Sequence, residues 1–509
     1  MTLEYVEMSR LSQFDTNNAA IRFIKLGLLP SKVENCAIHD AEGIGIYVLV
    51  SSQVVFNKNI IYRTRRNAII VRSTSDLEIC DNLIIGNQER VWNAGVQFND
   101  YQVAFDVCVG ELLSTCSNMR IQRNTVAGAM GTAFTAPAAD CTDENTEAAT
   151  MDTFKDNVAH STGVGLISLM NHYIARPYCG LVHDFTVHHA QDLGVLNRFN
   201  FADIQARNII SVDCGYGVEL GFTNGDNPFG TITFKDSLVV GEHAATVNCN
   251  HPNEAVNSKK VGMVTGSAFA QDSHVPYMVP KQIHVQGGAA AMGKAMYIEN
   301  VVFANFNTRV CAGALPPEVI NLHSSSGDLI MHHVFRSITL IDVLESNFLF
   351  LASPVPESAS ITECGQFVCT GRLNVLFQFT GPVTQVPADS VPLPSGAFTI
   401  ISNNPDVIDE SCELHAKWNV YVCTETNWGL LQFESMDSDS LDRSVQPVFV
   451  TSDDYPDFKN KLNSFADHAS ESIYEGQKRM SRFVSLMRTD EDGFFEIAYT
   501  GTPPLDQSF

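Results

Sequence analysis

The chain has 509 residues, and 57 acidic against 32 basic side chains leave a formal charge of −25 and a pI near 4.9. That balance argues against a nucleic-acid binder, whose phosphate contacts need clustered Lys and Arg, and against docking on an anionic membrane surface. Hydrophobic residues make up 45%, which excludes global disorder, and charged residues only 17%, which fits a β-rich protein better than a helical one.

The length allows roughly three domains of ~150 residues, but an elongated β architecture can use it as one unit. No run of ~18 apolar residues exists, so no membrane-spanning segment is expected. The first 18 residues lack a basic region followed by an apolar core, so they do not read as a signal peptide. They read like the inside of a strand-rich domain, and the chain is expected to be a piece of something longer. Thirteen cysteines leave the compartment open, as does the lack of an Asn-x-Ser/Thr sequon. Cys108 with Cys116, Cys364 with Cys369, and Cys412 with Cys423 are close enough in sequence to pair. Cys36 and Cys80 read as small apolar core residues.

In chain order, one six-residue pattern recurs: apolar, two variable, usually Asn, one variable, apolar. It opens at Val33, Phe56 and Ile79, a phase of 23 residues kept twice, and returns at Ile121, Phe154, Phe234, Ile298 and Leu344. Its fourth position holds Asn59, Asn82, Asn124, Asn157 and Asn347, with Cys36, Ser237 and Val301 as exceptions. Apolar residues at alternate positions suit a short strand with one inward face. A sharp turn must follow, and Asn tolerates the left-handed conformation such a turn needs. Coils stacked every ~4.8 Å would place these amides above one another in a ladder. The expected fold is therefore all-β, a right-handed parallel β-helix. The 42-residue step from 79 to 121 reads as a coil plus a loop. The 80-residue step from 154 to 234 is an unexplained gap in the phase. Segments 243–275 and 382–410 look loop-rich. A helical signal appears near 453–487, where Ser452 to Pro456 resembles a capped entry and Phe458, Leu462 and Phe465 share a helical face. The expected division is coils with loop insertions over 1–355, then a β-rich C-terminal part over 356–509 carrying that helix.

Segments 33–40 (VENCAIHD), 123–131 (RNTVAGAMG), 156–165 (DNVAHSTGVG) and 301–306 (VVFANF) resemble the β-helical region of the fibrocystin family. So, in order and spacing, do 412–423 (CELHAKWNVYVC), 434–443 (ESMDSDSLDR), 446–448 (QPV), 477–483 (QKRMSRF) and 499–504 (YTGTPP). That region is shared more distantly with the cell-surface hyaluronidases related to cell-migration-inducing hyaluronan-binding protein. The resemblance implies a large, modular, receptor-like surface protein, hence an extracellular or cell-surface location. Three departures stand out. A His-x-His run is replaced by 20–26 (AIRFIKL), a Cys-rich stretch by 470–476 (SESIYEG), and an Asp-x-Asp-Gly turn by 378–381 (QFTG). They bear respectively on metal or hyaluronan chemistry, a disulfide and a cation site.

Glycoside hydrolysis needs two carboxylates facing the scissile bond. The adjacent pair Asp453–Asp454 sits where helix capping explains it. The densest histidine cluster lies at 183–189, where strand alternation puts His183 and His189 on one face with Phe185 and Val187. His332 and His333 point to opposite faces by the same rule. Packing or surface roles are the plainer reading of both. Asp437, Asp439 and Asp442 offer an oxygen-rich run that would suit Ca²⁺, although a solvated acidic turn explains it as well. No other cofactor is expected. The reading is a non-catalytic, extracellular-facing module for adhesion or binding of a glycan or extracellular protein. A hyaluronidase- or polysaccharide lyase-like enzyme is the alternative. Convergence of His39, His160 and His183 in one groove would favour the enzyme. Self-association through an exposed end coil is also expected.

Overall fold

The computed structural model describes residues 2–13, 18–26, 30–87, 103–108, 116, 118–136, 139–140, 154–169, 179–191, 193–198, 203–220, 232–242, 249, 260–265, 295–309, 311, 314, 316–322, 330–351, 374–402, 408, 410–424, 428–435, 448–452, 459–461, 463–467, 480–488 and 495–499. Two compact units emerge. The first comprises Met1–Leu220, Thr233–Met263 and Val302–Pro317, and the second Gly221–Ile232, Val264–Val301 and Glu318–Phe509.

The first unit is a parallel β-helix of three sheets. Sheet A opens with Thr2–Glu4, Ser31–Glu34, Ser52–Asn57, Ser75–Cys80, Met119–Gln122 and Phe154–Lys155 in order. Sheet B runs from Glu7–Ser9 through Ala37–His39 and Ile60–Tyr62 to Asp203–Val212 and Ile232–Val240, and sheet C from Ile21–Ile24 to Tyr216–Leu220 and beyond. The 23-residue phase is a rung-to-rung register: Val33 pairs with Phe56, and Phe56 with Ile79. Ile79 pairs with Ile121, so the 42-residue step is a single rung. The 80-residue step hides two further rungs, because Asn157 pairs with Phe185 and Phe185 with Ile209. Neither carries the Asn on which the pattern was read.

Each rung turns a corner between sheets A and B at a residue with positive φ. These are Asn35, Lys58, Asp81, Arg123, Asp156, Asp184, Asn208 and Asp236, with φ between 50 and 58°. Every one directly precedes the ladder position. The left-handed residue is therefore not the ladder Asn, as expected from its turn propensity, but its predecessor, itself usually Asp or Asn for the same reason. The ladder Asn is selected instead by hydrogen bonding. Asn59 Nδ2 donates to Val33 O (2.9 Å) and Asn82 Oδ1 (3.0 Å), while its Oδ1 accepts from Cys36 N (3.0 Å). Asn82 donates to Phe56 O (2.8 Å) and Asn124 Oδ1 (2.9 Å), and Asn124 to Ile79 O (2.8 Å) and Asn157 Oδ1 (3.1 Å). Each Oδ1 also takes the backbone N–H of the preceding rung's ladder residue. A buried primary amide thus uses both donors and both acceptor directions, which makes its burial affordable.

Inward columns are apolar, with Phe105 on Phe134 at 4.9 Å and Phe134 on Phe154 at 5.6 Å between ring centroids. A column of small residues runs up sheet C, where Gly45, Ala68, Ala104, Ala133, Gly165, Gly194 and Gly217 fall in register. A Cβ on Gly165 would lie 2.5 Å from Gly194 O and 2.6 Å from Val187 Cγ2, so the column is narrow because sheet B packs on it.

In the second unit, parallel rungs continue past the expected boundary at 355: Ile330–Arg336 pairs with Asn374–Phe379, and Ile338–Val343 with Val383–Val386. Stacking then switches to antiparallel, with Phe398–Ser402 against Asn374–Phe379 and Val420–Cys423 against Phe398–Ser402. Asn347 leaves the turn pattern. It is buried in a one-turn helix, Glu345–Phe348, whose Trp418 neighbour donates Nε1 to Glu345 O at 2.9 Å. Of the segment near 453–487, where a helix was expected, the described residues are strands, while Phe458 and Leu462 lie outside the described residues. Lys459–Lys461 pairs with Val448–Ser452, and Asn463–Asp467 with Met480–Arg488, all antiparallel. Three apolar residues at helical spacing cannot outweigh partners distant in sequence, which a local pattern does not see.

Candidate functional site

The sheet-B strands carry one inward residue between two outward ones. Ile61, Ile84, Val126, Ala159 and Val187 are buried, while their neighbours on either side face solvent. On a solvated face the outward positions are normally polar. Here they are Ile60 and Tyr62, Leu83 and Ile85, Thr125 and Ala127, Val158 and His160, Thr186 and His188, Ile210 and Val212, then Leu238 and Val240. Ile60, Tyr62 and Ile210 are 49%, 37% and 40% exposed. From Ile60 to Val240 these two columns hold no Asp, Glu, Lys or Arg. Sheet A contrasts with it: its outward Lys32 bonds Glu34 at 3.0 Å, Glu78 accepts from Asn57 at 2.7 Å, and Arg120 lies beside Glu78.

The histidines gather midway along this face, in its second column. His160 and His188 are in register on adjacent rungs, their rings stacked 4.9 Å apart and 5° from parallel. His189 meets His188 edge-on at 5.6 Å. Behind it, Asp213 is fully buried, with Oδ2 3.2 Å from His189 Nδ1 and Oδ1 3.0 Å from Lys260 Nζ. Burial, then neighbouring histidines, holds His160 and His188 below the ordinary imidazole value. At neutral pH the stacked pair is an uncharged aromatic platform.

The three histidines named from sequence do not converge. His39 shares a column with His160 but lies four rungs away, through Tyr62, Ile85 and Ala127. It bonds Asp40 and Glu7, both at 2.9 Å, and Asp40 first, then Glu7, raises its pKa. His183 is buried, yet it falls in register with Arg207 in the outward column of sheet A, its Nδ1 2.6 Å from Asp184 Oδ2. His189 does not share its face, because 189 is itself a left-handed corner residue. His332 bonds Gln378 at 2.7 Å, whereas His333 is buried between Phe335 and Phe377 with neither ring nitrogen hydrogen-bonded. Its pKa falls to about 3, chiefly through burial.

Asp437, Asp439, Asp442 and the Asp453–Asp454 pair lie outside the described residues, so the Ca²⁺ expectation has no geometry. Among the described residues no group of three or more His, Cys, Asp or Glu is arranged to hold a metal. Cys412 is bonded to Cys423 across directly paired strand positions, and Cys108 to Cys116. A third disulfide, Cys249–Cys311, spans 62 residues and had no signal in the sequence. Cys36, Cys80 and Cys214 are free and buried. No helix among the described residues is long and apolar enough to cross a membrane.

A family model described as a right-handed beta helix region matches residues 30–176. The chain is similar to Fibrocystin-L of Mus musculus, 22% identical over 95% of its length, and to Fibrocystin-L of Homo sapiens, 22% identical over 86%. It spans 12% of the length of each of these relatives. Stacked parallel rungs and the matching family model make this chain a right-handed parallel β-helix region, similar along most of its sequence to part of Fibrocystin-L.

Proposed function

We propose that the chain is a non-catalytic, extracellular-facing module that serves adhesion or ligand binding, with a glycan or an extracellular protein as ligand, through the outward face of sheet B. The observation that carries this reading is the pair of uncharged, largely apolar columns from Ile60 to Val240 on a chain of net charge −25. Contiguous exposed apolar surface of this kind marks a contact site in soluble proteins. The three disulfides among the described residues suit an oxidising compartment. The test uses beads coated with the chain, scored for attachment to cell layers and for retention of hyaluronan or neutral glycans. Ile60→Lys with Ile210→Lys should abolish attachment, whereas Val55→Lys on sheet A should not. Equal loss from both substitutions would overturn the reading, as would release of new reducing ends from hyaluronan.

A further inference from the structure

Rung spacing limits what can cover the sheet-B face along its length. Its side chains repeat every ~4.8 Å in two columns, and a surface that interdigitates with all of them must share that repeat. A second copy of the same face does so by construction. Seven rungs at ~4.8 Å, each about 10 Å wide for three strand residues, offer about 340 Å² per copy and about 700 Å² in total, the range of weak, transient contacts. Charge points the same way. The two columns hold no charged residue from Ile60 to Val240, although the Arg63 guanidinium lies over the Tyr62 ring at 4.5 Å, while the corner between sheets A and B carries Asp81, Asp156, Asp184 and Asp236 against Lys58 and Arg123. Such a border disfavours an anionic glycan, and the face offers a neutral one few hydrogen-bonding groups beyond Thr125, Thr186, Tyr62 and the histidines.

We infer that the outward face of sheet B pairs with the same face of a second copy, and that acid separates the pair by charging the stacked His160–His188 platform. This rests on the adhesive reading above and names its partner and its control. Covering the platform keeps both imidazoles neutral, because no carboxylate lies in these columns to receive an imidazolium. Among the described residues, the ionisable groups beside the platform are His189 and, behind it, Asp213, which lies 3.0 Å from Lys260. On neighbouring rungs the platform is bordered by Ala127 and Val212, which do not titrate. Protonation would set two cations 4.9 Å apart on each of the two copies.

The test is sedimentation velocity of the full chain from about 1 to 200 µM, at about pH 7.4 and pH 5. A reversible dimer is expected at the higher pH, weakened at least about tenfold at the lower. Ile60→Glu and, separately, Ile210→Lys should leave monomers with unchanged circular dichroism. His160→Gln with His188→Gln should keep the dimer and lose most of its pH dependence. A monomer throughout the range at pH 7.4, a dimer indifferent to the face substitutions, or an undiminished pH effect in the double glutamine variant would overturn the inference. Beads that bind cells or glycans while the chain stays monomeric would sink it and leave the adhesive reading standing.

Discussion

Asn82→Val removes an amide that makes contacts on both neighbouring rungs. Asn59 loses the acceptor for its backbone N–H and for one side-chain hydrogen, both 3.0 Å from Asn82 Oδ1. Phe56 O loses its 2.8 Å donor, and Asn124 Oδ1 keeps only the backbone N–H of residue 82. Two buried donors left unmade cost about 2–6 kcal/mol, and the apolar valine returns about 1 kcal/mol, for a net destabilisation of about 1–5 kcal/mol. Asn82→Gly should cost as much, since residue 82 is not the left-handed one. Lys58→Gly, one residue before the ladder on the preceding rung, relieves a positive φ of 54° worth about 1–2 kcal/mol and loses about 0.5–1 kcal/mol to chain entropy. It should be neutral or slightly stabilising. Urea melts followed by circular dichroism, with hydrogen exchange at the Asn59 amide, read all three. If Asn82→Val and Asn82→Gly stay within about 1 kcal/mol of the parent and the Asn59 amide keeps its protection, the account of the ladder fails.

His333→Phe should stabilise the second unit by about 1–3 kcal/mol by removing two unpaired buried nitrogens. His333 has a folded pKa lowered to about 3, so its neutral burial is fully tolerated above the unfolded value near 6.5 and increasingly costly as pH falls between the two. The phenylalanine variant should therefore lose less stability than the parent between pH 6.5 and pH 3, and parallel acid branches in urea midpoints would contradict this. Cys412→Ser with Cys423→Ser should cost about 2–3 kcal/mol through the loop the bond closes, seen as earlier proteolysis of the 412–423 hairpin without reductant. Gly165→Ala should cost about 1–3 kcal/mol because its Cβ would meet the Gly194 carbonyl and Val187, whereas Gly396→Ala meets nothing within 4 Å and should be neutral in a thermal melt.

The rung repeat was legible because Asn59, Asn82, Asn124 and Asn157 are chosen by a contact that recurs at every rung. Where Phe185 and Ile209 fill the same column the fold persists by apolar packing, and a pattern keyed to one residue type could not follow it. The apolar outward face of sheet B had a signal that alternation alone would have found. After Asn59 and Asn82 the residues at both outward positions, Ile60 with Tyr62 and Leu83 with Ile85, are apolar or aromatic like the inward one between them. The stacking of His160 on His188 was not readable, because 28 residues and a corner separate them in sequence. The expected C-terminal helix failed for the opposite reason: strand pairing there joins residues such as Phe465 and Arg482, which no window spans.

The change of column from Asn to Phe185 and Ile209 divides the first unit by the temperature response of what binds its rungs. Amide ladders are held by directional bonds whose strength changes little on cooling, whereas apolar burial loses its entropic drive as water is chilled. The rungs from Asn59 to Asn157 should hold near freezing, and those through Phe185 and Ile209 should be the first to loosen. A cold-sensitive stretch would then include His188, so that chilling would act on the sheet-B face from within the molecule.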